Sequence, residues 1–471
     1  MTFTSINPAT GRVIARYEPQ SERDIDCLLD ASSRAFLAWR ETRFSERAAC
    51  LASLANRLRE RSEELARLIA AEMGKPLPQG EAEVEKCAWV CEHYAEHAEA
   101  LLAAESVETE AKRSEVVFPP LGAVLAIMPW NFPFWQFFRF AAPALMAGNV
   151  AVLRHASNVT GCALEIDKLS EEAGLPADVL RVALVDKTQV ADMIADPRIA
   201  AVTLTGSVEA GRAVAAAAGG AIKKTVLELG GSDPYVILRD ADLELAVERC
   251  VASRLINTGQ SCIAAKRFIV EEPLLEDFVA AFVEAMRGKR TGDPLEADVD
   301  LGPLAQAKGR DRLHEQVRSS IAAGAVCVLG GEIPSSAGFF YPPTVLTAVQ
   351  PGMAAFDTEV FGPVAAIVCA PDAERAIELA NRTEYGLGAA VFTKDVERGR
   401  EIAARRLQAG NCFVNDFVRS DPRLPFGGVK HSGYGRELGA FGIREFVNVK
   451  TVWVGGGTKS GGPAEKCRAA E

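Results

Sequence analysis

Residues 123–127 of the chain read Ala-Val-Leu-Ala-Ile, a short apolar run that is typical of a strand buried on both faces. Four more short, mainly apolar runs follow, at 150–153, 180–183, 200–204 and 224–227. Helical stretches separate these runs, at 133–147, 160–173 and 207–218. Because buried strands that alternate with helices form parallel sheets, this part of the chain is predicted to be α/β. The alternation resumes from about Asp233 to Val414, which predicts a second α/β unit.

The two ends of the chain have other patterns. Residues 22–104 carry apolar side chains three or four positions apart, which predicts helices. Residues 108–118 and 445–455 alternate between polar and apolar, which predicts exposed strands, and the second is expected at a sheet edge that it covers or pairs with another chain. Residues 455–471 are polar and rich in glycine, as in a mobile tail.

Composition and charge exclude several classes of protein. A chain of 471 residues that is 48% hydrophobic can bury two sizeable cores. The net charge of −11, without a block of Lys or Arg, argues against nucleic acid or an anionic membrane as the main partner. None of the five histidines has metal-ligand spacing, so no metal is expected. No apolar run approaches the length of a membrane span, and the first residues lack the pattern of a signal peptide.

Two residues point to covalent chemistry. Cys262, unlike the other ten cysteines, stands in a polar turn with glycine, Asn257-Thr258-Gly259-Gln260-Ser261-Cys262. A thiol there could attack a carbonyl, and Glu228, before Gly230 and Gly231, could activate water to release the product. The alternatives are a small core residue and a surface charge at a strand end. The other ten cysteines are expected to be core residues with reduced thiols, which implies a cytoplasmic protein.

Further signals concern a cofactor and an oxyanion. The usual G-x-G-x-x-G fingerprint is missing, which counts against an ordinary Rossmann dehydrogenase. Gly206 and Ser207 instead end a strand and open a helix, where free amides could bind pyrophosphate, unless Ser207 is only the helix N-cap. Asn131, held between two prolines, could aim its amide at a developing oxyanion or simply cap a helix.

Three more candidates lie in loops or at strand ends. Arg154, at a strand end, could contact ribose or phosphate, although an arginine there is more often a surface charge. Glu359 could accept from ribose hydroxyls and Phe361 could flank a ring, or both could be ordinary loop residues.

In order and spacing these motifs resemble the aldehyde dehydrogenase family, from Ile6-Asn7-Pro8 to Val454. The resemblance implies an α/β fold with two Rossmann-type domains and a small β oligomerisation element, in a homodimer or homotetramer. It implies a dinucleotide-binding domain of residues 1–106 and 124–229 and a catalytic domain of 230–440. Oligomerisation strands are expected within 107–123 and 441–456, with a flexible tail at 457–471.

The resemblance also implies roles for individual residues. Cys262 is the nucleophile, Asn131 an oxyanion donor together with the Cys262 amide, and Glu228 the base that activates the deacylating water. The reaction implied is NAD(P)-dependent oxidation of an aldehyde to an acid through a thiohemiacetal and a thioester. Cofactor-contacting positions match these residues: Trp130, Arg154, Ser157, Gly206, Ser207, Glu359 and Phe361.

Two departures from the family pattern bear on the cofactor. Most members have lysine where Arg154 stands, and NAD-preferring members often have glutamate where Ser157 stands. A carboxylate there would repel a 2′-phosphate, whereas Arg154 would attract it. We therefore expect NADP to be accepted, or preferred over NAD.

The substrate is predicted from an arginine and its aromatic surroundings. Succinate-semialdehyde dehydrogenases have an arginine at the position of Arg139 that pairs with the substrate's distal carboxylate. A guanidinium in a pocket with Phe132 and Trp135 needs an anionic partner, since unpaired burial is costly. Ser420 and Arg423 are further candidate carboxylate partners. The chain looks most like the bacterial succinate-semialdehyde branch, and the alternative is a broader aliphatic or aromatic aldehyde dehydrogenase.

Overall fold

The computed structural model describes residues 2–456, and the predicted tail at 457–471 lies outside the described residues. The N-terminal part contains two strands and four helices: β1 (Phe3–Ile6), β2 (Val13–Tyr17), α1 (Glu22–Trp39), α2 (Phe44–Glu60), α3 (Ser62–Met73) and α4 (Leu77–Leu101). Two strands follow, β3 (Glu105–Ser106) and β4 (Arg113–Val117). Helix α4 packs against α2 and α3 on one side and against the first helix of the next region on the other.

The first α/β region alternates strands and helices as the apolar runs predicted. Its elements are β5 (Ala123–Met128), α5 (Trp135–Ala147), β6 (Val150–His155), α6 (Thr160–Glu172), β7 (Leu180–Val182), α7 (Gln189–Ala195), β8 (Ile199–Thr205), α8 (Val208–Gly220) and β9 (Lys224–Glu228). All six residues of β5 are buried, because helices cover both faces of the sheet.

The second α/β region repeats the alternation. Its elements are β10 (Asp233–Ile237), α9 (Leu243–Leu255), β11 (Ala265–Glu271), α10 (Glu272–Arg287), α11 (Ala307–Ala322), β12 (Val326–Leu329), β13 (Thr344–Thr347), α12 (Ala354–Asp357), β14 (Val364–Ala370), α13 (Ala373–Asn381), β15 (Gly388–Phe392), α14 (Val396–Glu401) and β16 (Asn411–Val414). The described chain ends with β17 (Gly433–Tyr434), α15 (Gly439–Ile443) and β18 (Lys450–Val454).

The first sheet has six strands in the order β17-β9-β8-β5-β6-β7, all parallel except β17. From β5 the chain passes to β6 and β7 on one side, and then returns to β8 and β9 on the other. The strand order therefore reverses between β5 and β8, which is where α/β sheets bind ligands, beyond the carboxyl ends of their strands.

The second sheet has seven strands in the order β12-β13-β14-β11-β10-β15-β16, parallel except for β12. The loop that carries Cys262 lies between α9 and β11, so it leads directly into a central strand of this sheet. The two α/β regions confirm the predicted fold class.

A third, antiparallel sheet has the order β18-β4-β3. It is smaller than the sequence predicted: within 108–118 only Arg113–Val117 is a strand, and within 445–455 only Lys450–Val454. The preceding residues turn instead, since the Ala111 amide donates to Thr109 Oγ1 at 3.2 Å.

Strand membership differs from the predicted domain bounds at three places. Glu105–Ser106, at the end of the predicted dinucleotide-binding segment, pairs with β4 in the third sheet. Ala123, from the predicted oligomerisation segment, opens β5 of the first sheet. Gly433–Tyr434, from the predicted catalytic segment, pairs with β9. The domain bounds themselves stay a prediction.

The expectation that ten cysteines pack in the core is wrong for at least two of them. Cys27 and Cys369 are exposed. The buried residues of α1 include Ile25, Leu28 and Leu29, so Cys27 lies on the opposite face, and Cys369 is the one exposed residue of β14. The ten cysteines within residues 2–456 are free thiols.

No helix within residues 2–456 combines the length and the apolarity that crossing a membrane requires. In the same part of the chain, no three His, Cys, Asp or Glu side chains come together as a metal site would need.

Candidate active site

A strained turn presents Cys262. Asn257 and Thr258 adopt left-handed backbone conformations, with φ of 52° and 56°, and Gly259 follows with φ of 74°. Asparagine tolerates this region better than most residues, and its side chain compensates for the strain. Asn257 Nδ2 donates to Asn131 O at 2.6 Å and to Gln260 O at 3.1 Å. The backbone of this turn is therefore fixed against the loop that follows β5.

Asn131 lies in that loop, at the carboxyl end of β5, and is buried. Its Nδ2 donates to Gln260 O at 3.0 Å, and its Oδ1 accepts from Gln136 Nε2 at 3.3 Å. An amide nitrogen carries two hydrogens, so the second one is free for a substrate oxygen. A hydrogen bond between His155 Nε2 and Pro133 O, at 2.8 Å, holds the loop against the end of β6.

Glu83 from α4 fixes the start of α5. Its Oε1 accepts from the amides of Phe134 and Trp135 at 2.9 and 3.0 Å, and it forms a buried ion pair with Lys75. The first amides of a helix lack partners within the helix, so the buried Glu83 carboxylate caps α5 by accepting from them. Its negative charge also interacts favourably with the positive end of the helix dipole.

Cys262 lies where two cavities meet. The first has a volume of about 620 Å³ and is lined by aromatic residues that include Phe132, Trp135, Phe417 and Phe426; we call it the aromatic cavity. The second has a volume of about 420 Å³ and lies beyond the ends of β5 and β8; we call it the strand-end cavity. Cys262 and Gln136 line both.

The strand-end cavity brings together most of the predicted cofactor residues. The lining includes five of the seven: Trp130, Gly206, Ser207, Glu359 and Phe361, and the predicted oxyanion donor Asn131 also lines it. The Trp130 and Phe361 rings are perpendicular, with centroids 5.8 Å apart. Ser207 is the N-cap of α8, since its Oγ accepts from the Ala210 amide at 3.2 Å, and its role toward a cofactor stays a prediction.

The hydrogen-bond donors and acceptors that line this cavity are of the kinds that a dinucleotide requires. The first amides of α8 open toward it and suit a pyrophosphate. Glu359 faces it as an acceptor, although one oxygen already accepts from the Gly231 amide at 3.1 Å and lies 3.8 Å from Lys266 Nζ. Burial raises the pKa of the Glu359 carboxyl, while Lys266 opposes this shift.

Arg154 and Ser157 line neither cavity. Arg154 lies near the carboxyl end of β6, next to β5, and within residues 2–456 it has no carboxylate within 4 Å. Its Nε is buried without a hydrogen-bond partner among the described protein atoms, and burial lowers its pKa. Ser157 is exposed in the turn that follows. Among the described residues, Arg154 is therefore a cation without a carboxylate partner, on the strand next to β5, where the strand order of the sheet reverses.

Glu228 ends β9, is only 2% exposed and lines neither cavity. Burial and the nearby Glu437 raise its pKa well above the usual range, and Arg139 opposes them. A Cβ at Gly427 would lie 2.8 Å from Glu228 Oε1 and 2.8 Å from Gly435 O, so a larger residue there would displace the carboxyl or the neighbouring backbone. A raised pKa makes a carboxylate a stronger proton acceptor, which is what a general base requires.

Charged neighbours also act on the nucleophile. Burial raises the pKa of the Cys262 thiol to about 12, while the charges of Arg139 and Lys266 lower it. Lys266 Nζ is bound to the Ser261 and Cys262 carbonyl oxygens, at 3.0 Å and 2.5 Å, so this charge is fixed next to the thiol.

Contrary to expectation, Arg139 does not depend on a substrate for its anionic partner, because Glu437 already provides one. Arg139 lines the aromatic cavity, but its guanidinium forms a buried ion pair with Glu437. Arg139 also lies over the Phe426 ring, 4.7 Å from the centroid, and donates to Gln136 Oε1 at 3.2 Å. Glu437 follows β17, far along the chain, and no local pattern in the sequence links it to Arg139.

Of the other predicted substrate residues, Phe132, Trp135 and Ser420 line the aromatic cavity, whereas Arg423 does not. Arg423 is exposed and bound by both oxygens of Asp421, at 2.8 and 2.6 Å. The sequence analysis missed Lys86, Asn257 and Glu437. Asn257 stood in the quoted Cys262 motif, but only its positive φ distinguishes it.

The comparisons with known proteins agree with this geometry. Residues 1–452 match the model of the aldehyde dehydrogenase family. A succinate semialdehyde dehydrogenase of Escherichia coli K12, named for NAD(P)+, is 51% identical over 449 residues, which are 95% of this chain and 97% of that protein. A succinate-semialdehyde dehydrogenase of Mycobacterium tuberculosis H37Rv, named for NADP+, is 47% identical over 457 residues, 96% and 100% of the two chains.

Among solved structures, the succinic semialdehyde dehydrogenase of Streptococcus pyogenes in complex with NADP+ has a TM-score of 0.94 and 34% identity. The match covers 96% of this chain and 100% of that one.

Substitutions at Asn257 test whether the turn positions the thiol. We expect Asn257→Ala to lower kcat by about 100-fold, because it strains the left-handed backbone and removes both side-chain hydrogen bonds, and a small displacement of a nucleophile has this effect. Asn257→Gly is the matched control, since it loses the hydrogen bonds but keeps the backbone conformation, and should lose less. Equal losses in steady-state kcat would show that backbone conformation is unimportant here.

Proposed function

This chain belongs to the aldehyde dehydrogenase family, and we propose that it oxidises succinate semialdehyde to succinate with NADP or NAD through a covalent Cys262 intermediate. One observation carries the proposal: Cys262 lines both the aromatic cavity and the strand-end cavity. A thiol in this position can hold an aldehyde from one side beside a dinucleotide bound on the other.

In the first step the Cys262 thiolate adds to the aldehyde carbon, so a C–S bond forms and the carbonyl oxygen becomes an oxyanion. The free hydrogen of Asn131 Nδ2 and the amide of Cys262 stabilise that charge. When bound, the dinucleotide supplies the hydride acceptor. The residues that would hold it are those that line the strand-end cavity, Gly206, Ser207, Glu359 and the Trp130–Phe361 pair.

Loss of hydride from the former aldehyde carbon would restore its C=O bond and leave a thioester on Cys262, and in the second step water hydrolyses this thioester. Glu228 takes a proton from the water, the hydroxide adds to the acyl carbon, and the C–S bond breaks to release the acid. Glu228 lines neither cavity, so this role requires its side chain to rotate toward Cys262. Its raised pKa suits a proton acceptor that works near neutral pH.

The substrate is proposed from the relatives' names and from a cation at the wall of the aromatic cavity, Lys86. The second candidate, a broader aliphatic or aromatic aldehyde dehydrogenase, is favoured by the large aromatic lining of this cavity.

A substrate panel separates the two candidates. We expect kcat/KM for succinate semialdehyde to exceed that for butanal and benzaldehyde at least about tenfold, since a hydrogen-bonded charge contributes that much. Initial rates of NADPH formation at several concentrations of each aldehyde provide the measurement, and glutarate semialdehyde tests chain length. Equal kcat/KM for charged and uncharged aldehydes would favour the broader enzyme.

We also propose that NADP is accepted at least as well as NAD, because Arg154 has no carboxylate partner among residues 2–456 and Ser157 carries no charge. Ser157→Glu should raise the KM for NADP at least about tenfold, since it adds a charge of the same sign as the 2′-phosphate, and should change the KM for NAD less. Ser157→Gln is the control of equal size without charge. The KM values for NADP and NAD are measured by steady-state kinetics for both variants. An equal rise in the KM for NADP in Ser157→Glu and Ser157→Gln would contradict the proposal that charge at this position selects the cofactor.

The assembly is proposed to be a homodimer or homotetramer formed through the edge strand β18. Trp453 and Val449 are 52% and 65% exposed at this edge, and apolar side chains beside an unpaired edge strand favour pairing with another chain. Sedimentation analysis tests this directly, and a monomer would contradict it.

The ten free thiols within residues 2–456 agree with a cytoplasmic location, which fractionation of the source cells would test.

A further inference from the structure

Lys86 is the cation of the aromatic cavity that lacks an ion pair. It lies on α4 and is half-buried, and its Nζ donates to Ser420 Oγ at 2.9 Å. The ammonium group also lies 4.4 Å from the centroid of the Trp135 ring. Within residues 2–456 no carboxylate oxygen lies within 4 Å of Lys86 Nζ. A desolvated cation without a counter-ion is costly, and an anionic ligand would remove that cost.

The other three cations that line the cavity each have a carboxylate partner. The pairs are Arg139 with Glu437, Lys289 with Asp300 at 3.1 Å, and Arg419 with Asp416 at 2.7 Å. Each pair is formally neutral, so it offers little net charge to a further anion. The charge that remains available at the wall of the cavity is therefore that of Lys86.

We propose that Lys86 binds the terminal carboxylate of the aldehyde substrate and so sets the preference for an aldehyde with a distal carboxylate. The inference rests on the proposed function and deepens it, because it assigns the role expected of Arg139 to another residue. Ser420 contributes as a second donor: its oxygen accepts from Lys86, which leaves the hydroxyl hydrogen free for a carboxylate oxygen. Trp135 packs against the ammonium group and limits its movement.

The titration of Lys86 agrees with this role. Burial and the neighbouring charge of Arg139 lower the pKa of Lys86 to about 8, while Cys87, Asp421 and Glu83 oppose the shift. The ammonium form binds a carboxylate and the neutral amine does not. The KM for a carboxylated aldehyde should therefore rise as the pH increases above about 8, and the KM for an uncharged aldehyde should not depend on this titration.

The experiment compares Lys86→Met with Lys289→Met, a control that removes a lysine from the same cavity where it is already paired with Asp300. Succinate semialdehyde and butanal are oxidised with saturating NADP. Lys86→Met should raise the KM for succinate semialdehyde at least about tenfold and change the KM for butanal less than about threefold. Lys289→Met should change both less than about threefold, and Lys86→Arg should keep most of the preference.

Equal changes for the two aldehydes in Lys86→Met would overturn the inference, even where the wild type prefers succinate semialdehyde. A wild type without that preference would instead contradict the proposed function. Inhibition by succinate, with butanal as the substrate, then decides the role of Lys86: a Ki that rises about tenfold in Lys86→Met supports it, and an unchanged Ki overturns it.

Should Lys86→Met fail to oxidise butanal, Ser420→Ala and Lys86→Arg decide in its place. Ser420→Ala should raise the KM for succinate semialdehyde selectively, and an effect equal to that on butanal would overturn the inference.

Discussion

Two hydrogen bonds between loops of different sheets determine where the reactive thiol lies. Asn257 Nδ2 donates to Asn131 O at 2.6 Å, and Asn131 Nδ2 donates to Gln260 O at 3.0 Å. The first loop follows β5 of the six-stranded sheet, and the second precedes β11 of the seven-stranded sheet. Cys262 therefore lies at the junction of the two α/β regions, and each region supplies part of the wall of both cavities.

The ionisable groups around the thiol are mostly paired with a group of opposite charge or have shifted pKa values. Arg139 and Glu437 form a buried ion pair at the wall of the aromatic cavity, and burial together with Glu437 raises the pKa of Glu228 beside them. Isolated buried charges would cost several kcal/mol each, so pairing and protonation are how a buried site contains so many ionisable groups. Lys86 departs from this rule, which is why it stands out as a ligand-binding group.

Much of the fold was predictable because its signals are local. The apolar run at 123–127 and its successors give the parallel strands directly, and the motifs around Asn131, Gly206, Glu228, Cys262 and Glu359 name residues at strand ends or in tight turns. Partners distant in sequence were not predictable. Lys86 and Ser420 are 334 positions apart, and neither the bond between them nor that between Arg139 and Glu437 leaves a periodic pattern. Arg139 does need an anionic partner, as expected, but that partner is Glu437, which is distant in sequence, and not the substrate.

The central claim is that an acyl group resides on Cys262 before water releases it. The most direct measurement is peptide mass spectrometry of Glu228→Gln enzyme, mixed with succinate semialdehyde and NADP and quenched in acid. The account predicts one succinyl group on the peptide that contains Cys262, formed together with about one equivalent of NADPH per site, since the amide cannot serve as the base. Continued turnover with an unmodified Cys262 would contradict it.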